Sequence, residues 1–268
     1  MYHSLLLACP QSQREMVAAE LYELGTLGIT ERDRPGGWCE LEAFFAGRFD
    51  EAVRFGAYGP QWREYAESPE AGWVDTFEAM EVGERLYLAP SWRDDPAPPG
   101  RLRLAVHARQ ASGSGYQPAT RLALEALERH LRPGDRFLDA GTGSGILSAA
   151  AALLGAGPRF ACDMDLAALS EARENETPAH LWGGSPRSFA NASADVVAAN
   201  LNAEALLGLA ADLMRVLAPG GRLIVSGFTA RNADRILRAF PAEPAESLSS
   251  GLWRAIVLTA RPAPVFRQ

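Results

Sequence analysis

Between Arg136 and Ala152 the chain reads RFLDAGTGSGILSAAAA, and no other stretch restricts the fold as tightly. Phe137, Leu138 and Asp139 read as the end of a short buried strand, and the alanine- and leucine-rich run after Gly145 as a helix packed closely on it. The three glycines between them, Gly141, Gly143 and Gly145, let the backbone turn tightly and bring N–H groups close to a ligand at a helix N-terminus. A turn of this kind serves either close strand–helix packing or a nucleotide-type ligand, and the pattern alone does not choose.

Two details favour the ligand. A dinucleotide fingerprint calls for glycine at position 146, where the chain has Ile146, whereas Asp139 ahead of the glycines gives the form DxGxGxG. That form resembles motif I of the S-adenosylmethionine (AdoMet) methyltransferases. The second detail is Asp163, which closes the strand-like run PRFACD about 20 residues further on, where a carboxylate takes both hydroxyls of a ribose. Each acid has a plainer reading: Asp139 as a strand-end carboxylate capping backbone N–H groups, Asp163 as a helix-leading acid near Asp165.

Beyond the turn, strands alternate with helices, the pattern of a parallel sheet covered on both faces. Strands fall at Phe137 to Ala140, Arg159 to Asp163, His180 to Trp182, Asp195 to Ala199 and Arg222 to Ser226, with a closing hairpin around Ser250-Gly251. Upstream, GERLYLAPSW and Leu102 to Val106 read as strands, and Leu122, Leu124, Leu127 and Leu131 support a helix from about Thr120.

The first 65 residues or so have their own pattern: a strand at Ser4 to Cys9, a helix to Leu24 with Met16, Ala19, Leu21 and Leu24 on one face, a hairpin at Gly36-Gly37 and a second helix near Asp50 to Phe55. This is the outline of a small ferredoxin-like unit. The expected division is a recognition domain at 1–65, a linker at 66–80 and a catalytic domain at 81–268. Trp73 and Phe77 read as apolar residues that help dock the two parts.

Composition narrows the chemistry. The chain contains no lysine, its 26 basic residues all being arginine, so a Schiff-base mechanism and the GxxxxGK[ST] phosphate loop are excluded. A net charge of −7 argues against a broad nucleic-acid footprint. Cys9, Cys39 and Cys162 are widely spaced without a CxxC pair, and the four histidines lack any ligand spacing, so no metal is expected. No apolar run is long enough to span a membrane and the Leu5 to Cys9 run is too short for a signal peptide, which points to the cytoplasm.

Taken together, GERLYLAPSW (83–92), GTGSGILS (141–148), Asp163, NLNAE (200–204) and APGGRLIVSG (218–227) resemble, in order, the bacterial methyltransferases that modify large-subunit ribosomal protein L-eleven, the PrmA family. The resemblance runs over nearly the whole chain. It implies a Rossmann-like, seven-stranded AdoMet methyltransferase sheet in an α/β fold, AdoMet as cofactor, and transfer to amines of a ribosomal protein, with the small N-terminal unit recognising that substrate. It further implies that Thr120, Gly141, Asp163 and Asn200 lie at the cofactor; the reading of the glycine turn adds Asp139 and Gly143 to the cofactor site, and the side-chain oxygen of Asn200 is placed to accept from the amine and orient it.

For Asn200 the residue-level alternative is a cap on the helix that follows. The sequence departs from the family pattern where HARQASGSGYQPAT (107–120) replaces DPGLAFGTGTHPTT and Glu78-Ala79 replaces Lys-Pro. Those departures leave open a relative acting on another protein or small amine, or an AdoMet-binding module without transfer.

Overall fold

The computed structural model describes residues 2–26, 28–45, 47–50, 52–65, 78–107 and 117–260. The positions expected to dock the two parts, Trp73 and Phe77, and most of the 107–119 loop lie outside the described residues. The chain divides into two compact units, Met1–Phe77 and Glu78–Gln268.

In the first unit, β1 (Tyr2–Pro10), α1 (Arg14–Glu23), β2 (Gly28–Arg34), β3 (Trp38–Phe45), α2 (Ala52–Phe55) and β4 (Gln61–Tyr65) succeed one another. The sheet order is β2-β3-β1-β4 with every neighbouring pair antiparallel. One face carries Leu5, Leu7, Cys9, Leu41, Ala43 and Phe45, which pack with Val17, Leu21 and Phe55 into a core of their own. The helix face differs from the expected one: Val17, Ala18, Ala19 and Leu21 are buried, whereas Met16 is 38% exposed. Leu24 ends the helix and Gly25, at φ 83°, turns the chain away from it, as expected of a C-terminal glycine.

The second unit opens with β5 (Met80–Val82), β6 (Leu86–Pro90) and β7 (Leu102–Val106), a small sheet in the order β5-β6-β7. Helix α3 (Pro118–His130) follows, and its Glu128 carboxylate accepts from the backbone N–H groups of Glu84 (2.9 Å) and Arg85 (3.1 Å). The tight β5–β6 turn is thereby fastened to the helix.

The main sheet has seven strands: β8 (Phe137–Ala140), β9 (Arg159–Asp163), β10 (His180–Gly183), β11 (Ala194–Asn200), β12 (Leu217–Thr229), β13 (Glu243–Ser250) and β14 (Trp253–Thr259). Their order is β10-β9-β8-β11-β12-β14-β13, parallel from β10 to β12, with β14 inserted antiparallel between β12 and β13. The chain reverses its stepping direction at β8, leaving from there first towards β10 and later towards β13. In open α/β sheets a ligand sits at the carboxyl ends of the strands beside that reversal.

Helices α4 (Ile146–Leu153), α5 (Leu166–Glu174), α6 (Ala203–Val216) and α7 (Ala230–Ala239) connect the strands. Val197, Ala199, Leu223, Val225 and Phe228 of the sheet pack with Leu206, Leu213, Val216 and Ile236 of the helices into the larger core. No helix among the described residues is long and apolar enough to cross a membrane.

Candidate functional site

The site is built where β8, β9 and β11 end. Strand β8 is buried along its length, and its third residue, Asp139, is wholly buried with it. Its Oδ2 accepts from Thr142 Oγ1 (2.9 Å), Ser148 N–H (3.1 Å) and Ser148 Oγ (2.8 Å), tying the glycine turn to the first turn of α4. The other oxygen, Oδ1, is buried and has no partner among the described residues. The capping reading of Asp139 therefore holds for one oxygen, and the second remains an acceptor looking for a donor, the kind of group a ligand ammonium or a water satisfies.

Burial is the main cause that pushes Asp139 up to about 6, against the lowering effect of the Ser148 and Thr142 hydrogen bonds. A carboxyl whose folded value lies above its unfolded value of 3.8 takes up its proton in the folded protein first. Its ionisation opposes folding at neutral pH, and that opposition fades as pH falls through about 6. Asp195, held below the usual carboxylate range chiefly by Arg136, stays charged over this interval. The unliganded wild-type chain should therefore gain about 1.4 kcal/mol relative to Asp139→Asn between about pH 7 and pH 5. Urea unfolding of both proteins at each pH measures it, and an unchanged difference would show that Asp139 keeps an ordinary carboxylate value.

The turn itself requires glycine at two positions. Gly141 has φ 78°, and a Cβ there would overlap the side chain of Leu201; Gly145 has φ 86°, and a Cβ would overlap the side chain of Thr177. Leu201 follows Asn200, so the NLNA segment is seated directly on the glycine turn. Gly141→Ala should cost about 1–2 kcal/mol for the left-handed backbone and about 1–3 kcal/mol more for overpacking against Leu201. Gly134→Ala, at φ 90° with nothing within 4 Å, should show the first cost only. Chemical denaturation of the pair checks this, and equal losses would mean that Leu201 yields freely.

The backbone N–H groups of the turn are used differently from the sequence expectation. Gly141 and Thr142 donate to Cys162 O (2.8 and 3.0 Å), and Gly145 donates to Thr142 O (2.9 Å). Gly143 donates to Asp163 Oδ2 (3.0 Å). Gly143 thus orients an acid that ends β9 instead of offering its own N–H to a ligand. Asp163 Oδ1 accepts from Asp165 N–H (2.9 Å), so each oxygen holds one backbone donor. Of roughly four lone-pair positions on a carboxylate two are left, enough for two vicinal hydroxyls. The helix-leading role belongs to Asp165, whose side chain accepts from Ala167 N–H at the start of α5.

Beside Asp163 the structure adds residues that motif reasoning missed. Met164 is 78% exposed, Leu166 75% and Trp182 54%, although all three are large and apolar. Asp163 O accepts from Gly184 N–H (2.8 Å), which draws the end of β10 against them. An apolar residue immediately after a strand-ending acid was the available signal, and Met164 supplied it.

Asn200 ends β11, with its side-chain Nδ2 donating to Thr120 Oγ1 at 3.0 Å. The cap of α6 is a different residue: Asn202 accepts from Ala205 N–H at 2.9 Å. The capping alternative for Asn200 is thus removed. Thr120 is fully buried in the first turn of α3 and reaches this region through Asn200.

A cavity of about 500 Å³ also opens beside the turn, lined by Ser144, Gly145, Asn175, Thr177 and strand β7, but Asp163, Asn200 and Thr120 do not line it. Among the described residues no cluster of His, Cys, Asp or Glu could hold a metal ion.

Taken together, an acid with two spare acceptor positions, a buried acid with an orphaned oxygen, and apolar surface beside the first acid fit a ligand combining a ribose, a cationic amino-acid end and a flat base. AdoMet has those three parts.

Comparison with known proteins agrees. Residues 60–259 match the family model for ribosomal protein L11 methyltransferase (PrmA). The chain is 35% identical to a ribosomal protein L11 methyltransferase of Ralstonia nicotianae, with 95% of each chain covered. It is 37% identical over 195 residues to that of Ralstonia pickettii, a match covering 70% of this chain and 64% of that one. Among solved structures, a ribosomal protein L11 methylase of Lactobacillus delbrueckii subsp. bulgaricus superposes with a TM-score of 0.64 at 26% identity, covering 69% of this chain and all of that one.

Proposed function

The chain belongs to the ribosomal protein L11 methyltransferase family, and from that premise we propose that it transfers methyl groups from AdoMet to amines of ribosomal protein L11. The observation that carries the reading to this chain's own site is Asp163, fastened by Gly143 to the glycine turn with acceptor positions to spare on both oxygens.

When bound, AdoMet supplies an activated methyl group on a sulfonium, and transfer to an amine is a one-step displacement. The chain's residues then have two tasks, holding the reactants in line and keeping water out. Asp163 would hold the ribose hydroxyls, Met164 and Leu166 would cover the base, and the orphaned oxygen of Asp139, which has no exposed surface of its own, would reach the ammonium end through a bridging water. That last contact needs the ionised carboxylate, so cofactor affinity should weaken as pH falls through about 6.

The acceptor amine must carry a lone pair. An α-amine, with an ordinary pKa of about 7.7–8.0, reaches that state at neutral pH far more readily than a lysine at about 10.4. No covalent enzyme nucleophile is required. Asn200 Nδ2 donates one of its two N–H groups to Thr120 Oγ1, and its carbonyl oxygen would accept from the amine and so aim the lone pair.

Residues 1–77, a unit with its own core, contain none of the cofactor candidates, and we assign them the recognition of L11 in the cytoplasm. A chain beginning at Glu78 should still bind AdoMet by calorimetry and should lose methylation of L11. Full activity of the shortened chain would contradict that division. The reaction itself is tested by incubating the whole chain with methyl-labelled AdoMet and, in separate samples, purified L11 and a cell lysate. Label in L11 supports the proposal, and label confined to another protein of a lysate transfers it to that substrate.

A further inference from the structure

Ser144 and Gly145 share a peptide unit whose two polar ends are both taken. Its C=O accepts from Asn175 Nδ2 (2.9 Å), and its N–H donates to Thr142 O (2.9 Å). Thr142 O in turn belongs to the peptide unit whose N–H is that of Gly143, and Gly143 donates to Asp163 Oδ2 (3.0 Å). Three hydrogen bonds thus run in series, all donating in one direction, from the Asn175 amide through two peptide units of the glycine turn to the carboxylate that ends β9. Bonds in such a chain polarise one another. The sense of the first is fixed by chemistry: Ser144 O is a carbonyl and only accepts, so the end of the amide that faces it is the NH2.

The segment that carries Asn175 is shaped to deliver it. The cap of α5, Asp165, follows Asp163 by two residues, and Asn175 ends the helix with its own N–H donated to Glu171 O (2.8 Å). The next residue, Glu176, takes φ 53°, a left-handed backbone that a glutamate rarely adopts. Asn175 Oδ1 is buried with no partner among the described residues. A strained residue and an orphaned acceptor are two local costs beside one bond, and such costs persist where the surrounding structure uses what they secure. The glycine turn needs securing, because Gly143 (φ 53°) and Gly145 (φ 86°) have no side chain to hold the backbone in one of its accessible wells.

We propose that Asn175 is a positioning residue for the cofactor: as the first donor of the series it fixes both peptide units of the turn, keeps the Gly143 N–H on Asp163 Oδ2, and so holds that carboxylate in the orientation that meets the ribose hydroxyls. The inference rests on the ribose role given to Asp163 above, and goes beyond it in assigning the aim of the carboxylate to a residue at the other end of α5.

Asn175→Leu keeps the approximate volume of the side chain and removes the donor. It exchanges one buried orphan, Asn175 Oδ1, for another, Ser144 O, so the melting temperature should stay near wild type. The Kd for AdoMet should rise roughly three- to tenfold, the loss of one neutral hydrogen bond. The Kd for adenosine, which has the ribose without the amino-acid end, should rise by the same factor. Asn175→Asp keeps the shape without the donor and should weaken both ligands at least as much. In an Asp163→Ala background Asn175→Leu should have no further effect, because the end of the series is gone.

Unchanged affinities in both variants, a loss confined to AdoMet, or an equal loss in the Asp163→Ala background would each overturn the proposal. A purely structural role predicts a lower melting temperature with normal affinity per folded molecule. A wild-type chain that binds neither ligand would remove the ribose reading and this inference with it, whereas one that binds both and is indifferent to Asn175 removes the inference alone. The series also has a signature that needs no ligand and no methyl acceptor. In the unliganded chain the Gly143 amide proton, bonded to a carboxylate, should move upfield in Asn175→Leu, while that of Gly155, bonded to Ala152 O after α4, stays in place. An unmoved Gly143 resonance would overturn the proposal even if L11 is methylated.

Discussion

Asp163→Ala should weaken AdoMet binding by roughly a hundredfold to ten-thousandfold, because two charge-assisted hydrogen bonds of about 1.5–3 kcal/mol each are lost together. The carboxylate has a second duty, since Gly143 N–H and Asp165 N–H both donate to it, so the variant also loosens the turn. Two controls separate these effects. Asp165→Ala removes the cap of α5 alone and should lower stability by about 1 kcal/mol while leaving affinity near wild type. Asp163→Asn keeps the shape and one acceptor oxygen and should fall between wild type and alanine in affinity. Calorimetry with AdoMet and S-adenosylhomocysteine measures all three, and an Asp163→Ala protein that binds normally would place the ribose elsewhere.

Asn200→Ala should reduce kcat by roughly ten- to a hundredfold with a smaller change in KM, as expected when an interaction matters mainly in the transition state. Its melting temperature should stay close to wild type, because the cap of α6 is Asn202. Asn202→Ala should give the reverse result. Loss of an N-cap costs about 1 kcal/mol, which in a unit of this size lowers the melting temperature by about 2–4 °C, and turnover per folded molecule should be unchanged. Asn200→Asp adds a third point: it keeps an acceptor but adds charge where a cationic reactant is held, and slow transfer in a normally melting protein would show that the neutral amide is what the chemistry uses. A normal rate for Asn200→Ala would take the residue out of the mechanism.

Much of the catalytic unit was legible because its strands are short, buried and sharply bounded. Phe137–Ala140, Arg159–Asp163 and Leu102–Val106 were expected at the limits the structure shows, each being an apolar run closed by a charged, glycine or proline neighbour. The elements missed lack that contrast. Gln61–Tyr65 reads QWREY, mostly polar because it is an edge strand paired only with β1, and Met80–Val82 is too short to show any period. In α1, apolar residues lie at Met16, Val17, Ala18, Ala19 and Leu21, so the sequence offers several faces and only packing against the sheet picks out the one with Val17 and Leu21.

At the site, residue types were legible and their partners were not. The acids and glycines marked the place, but the donation from Gly143 to Asp163 joins residues twenty apart across two strands, and no local pattern encodes it. The two asparagines of NLNAE are two positions apart, so both could have capped the next helix. Strand β11 extends through Asn200, which leaves Asn202 at the helix start, with ψ 161° and its oxygen on Ala205 N–H. The exposure of Met164 and Leu166 likewise follows from where β9 ends, and apolar residues there look like core until the sheet is assembled.

The central claim, methyl transfer to L11 from a site organised by Asp163 and Asn200, is met most directly by the intact mass of purified L11 after incubation with AdoMet and catalytic amounts of the whole chain. We expect L11 to gain the mass of one or more methyl groups with the wild-type chain, far more slowly with Asn200→Ala, and at least about fiftyfold more slowly with Asp163→Ala at an AdoMet concentration near the wild-type Kd. An L11 mass unchanged by a wild-type chain that binds AdoMet in the same buffer would contradict the claim.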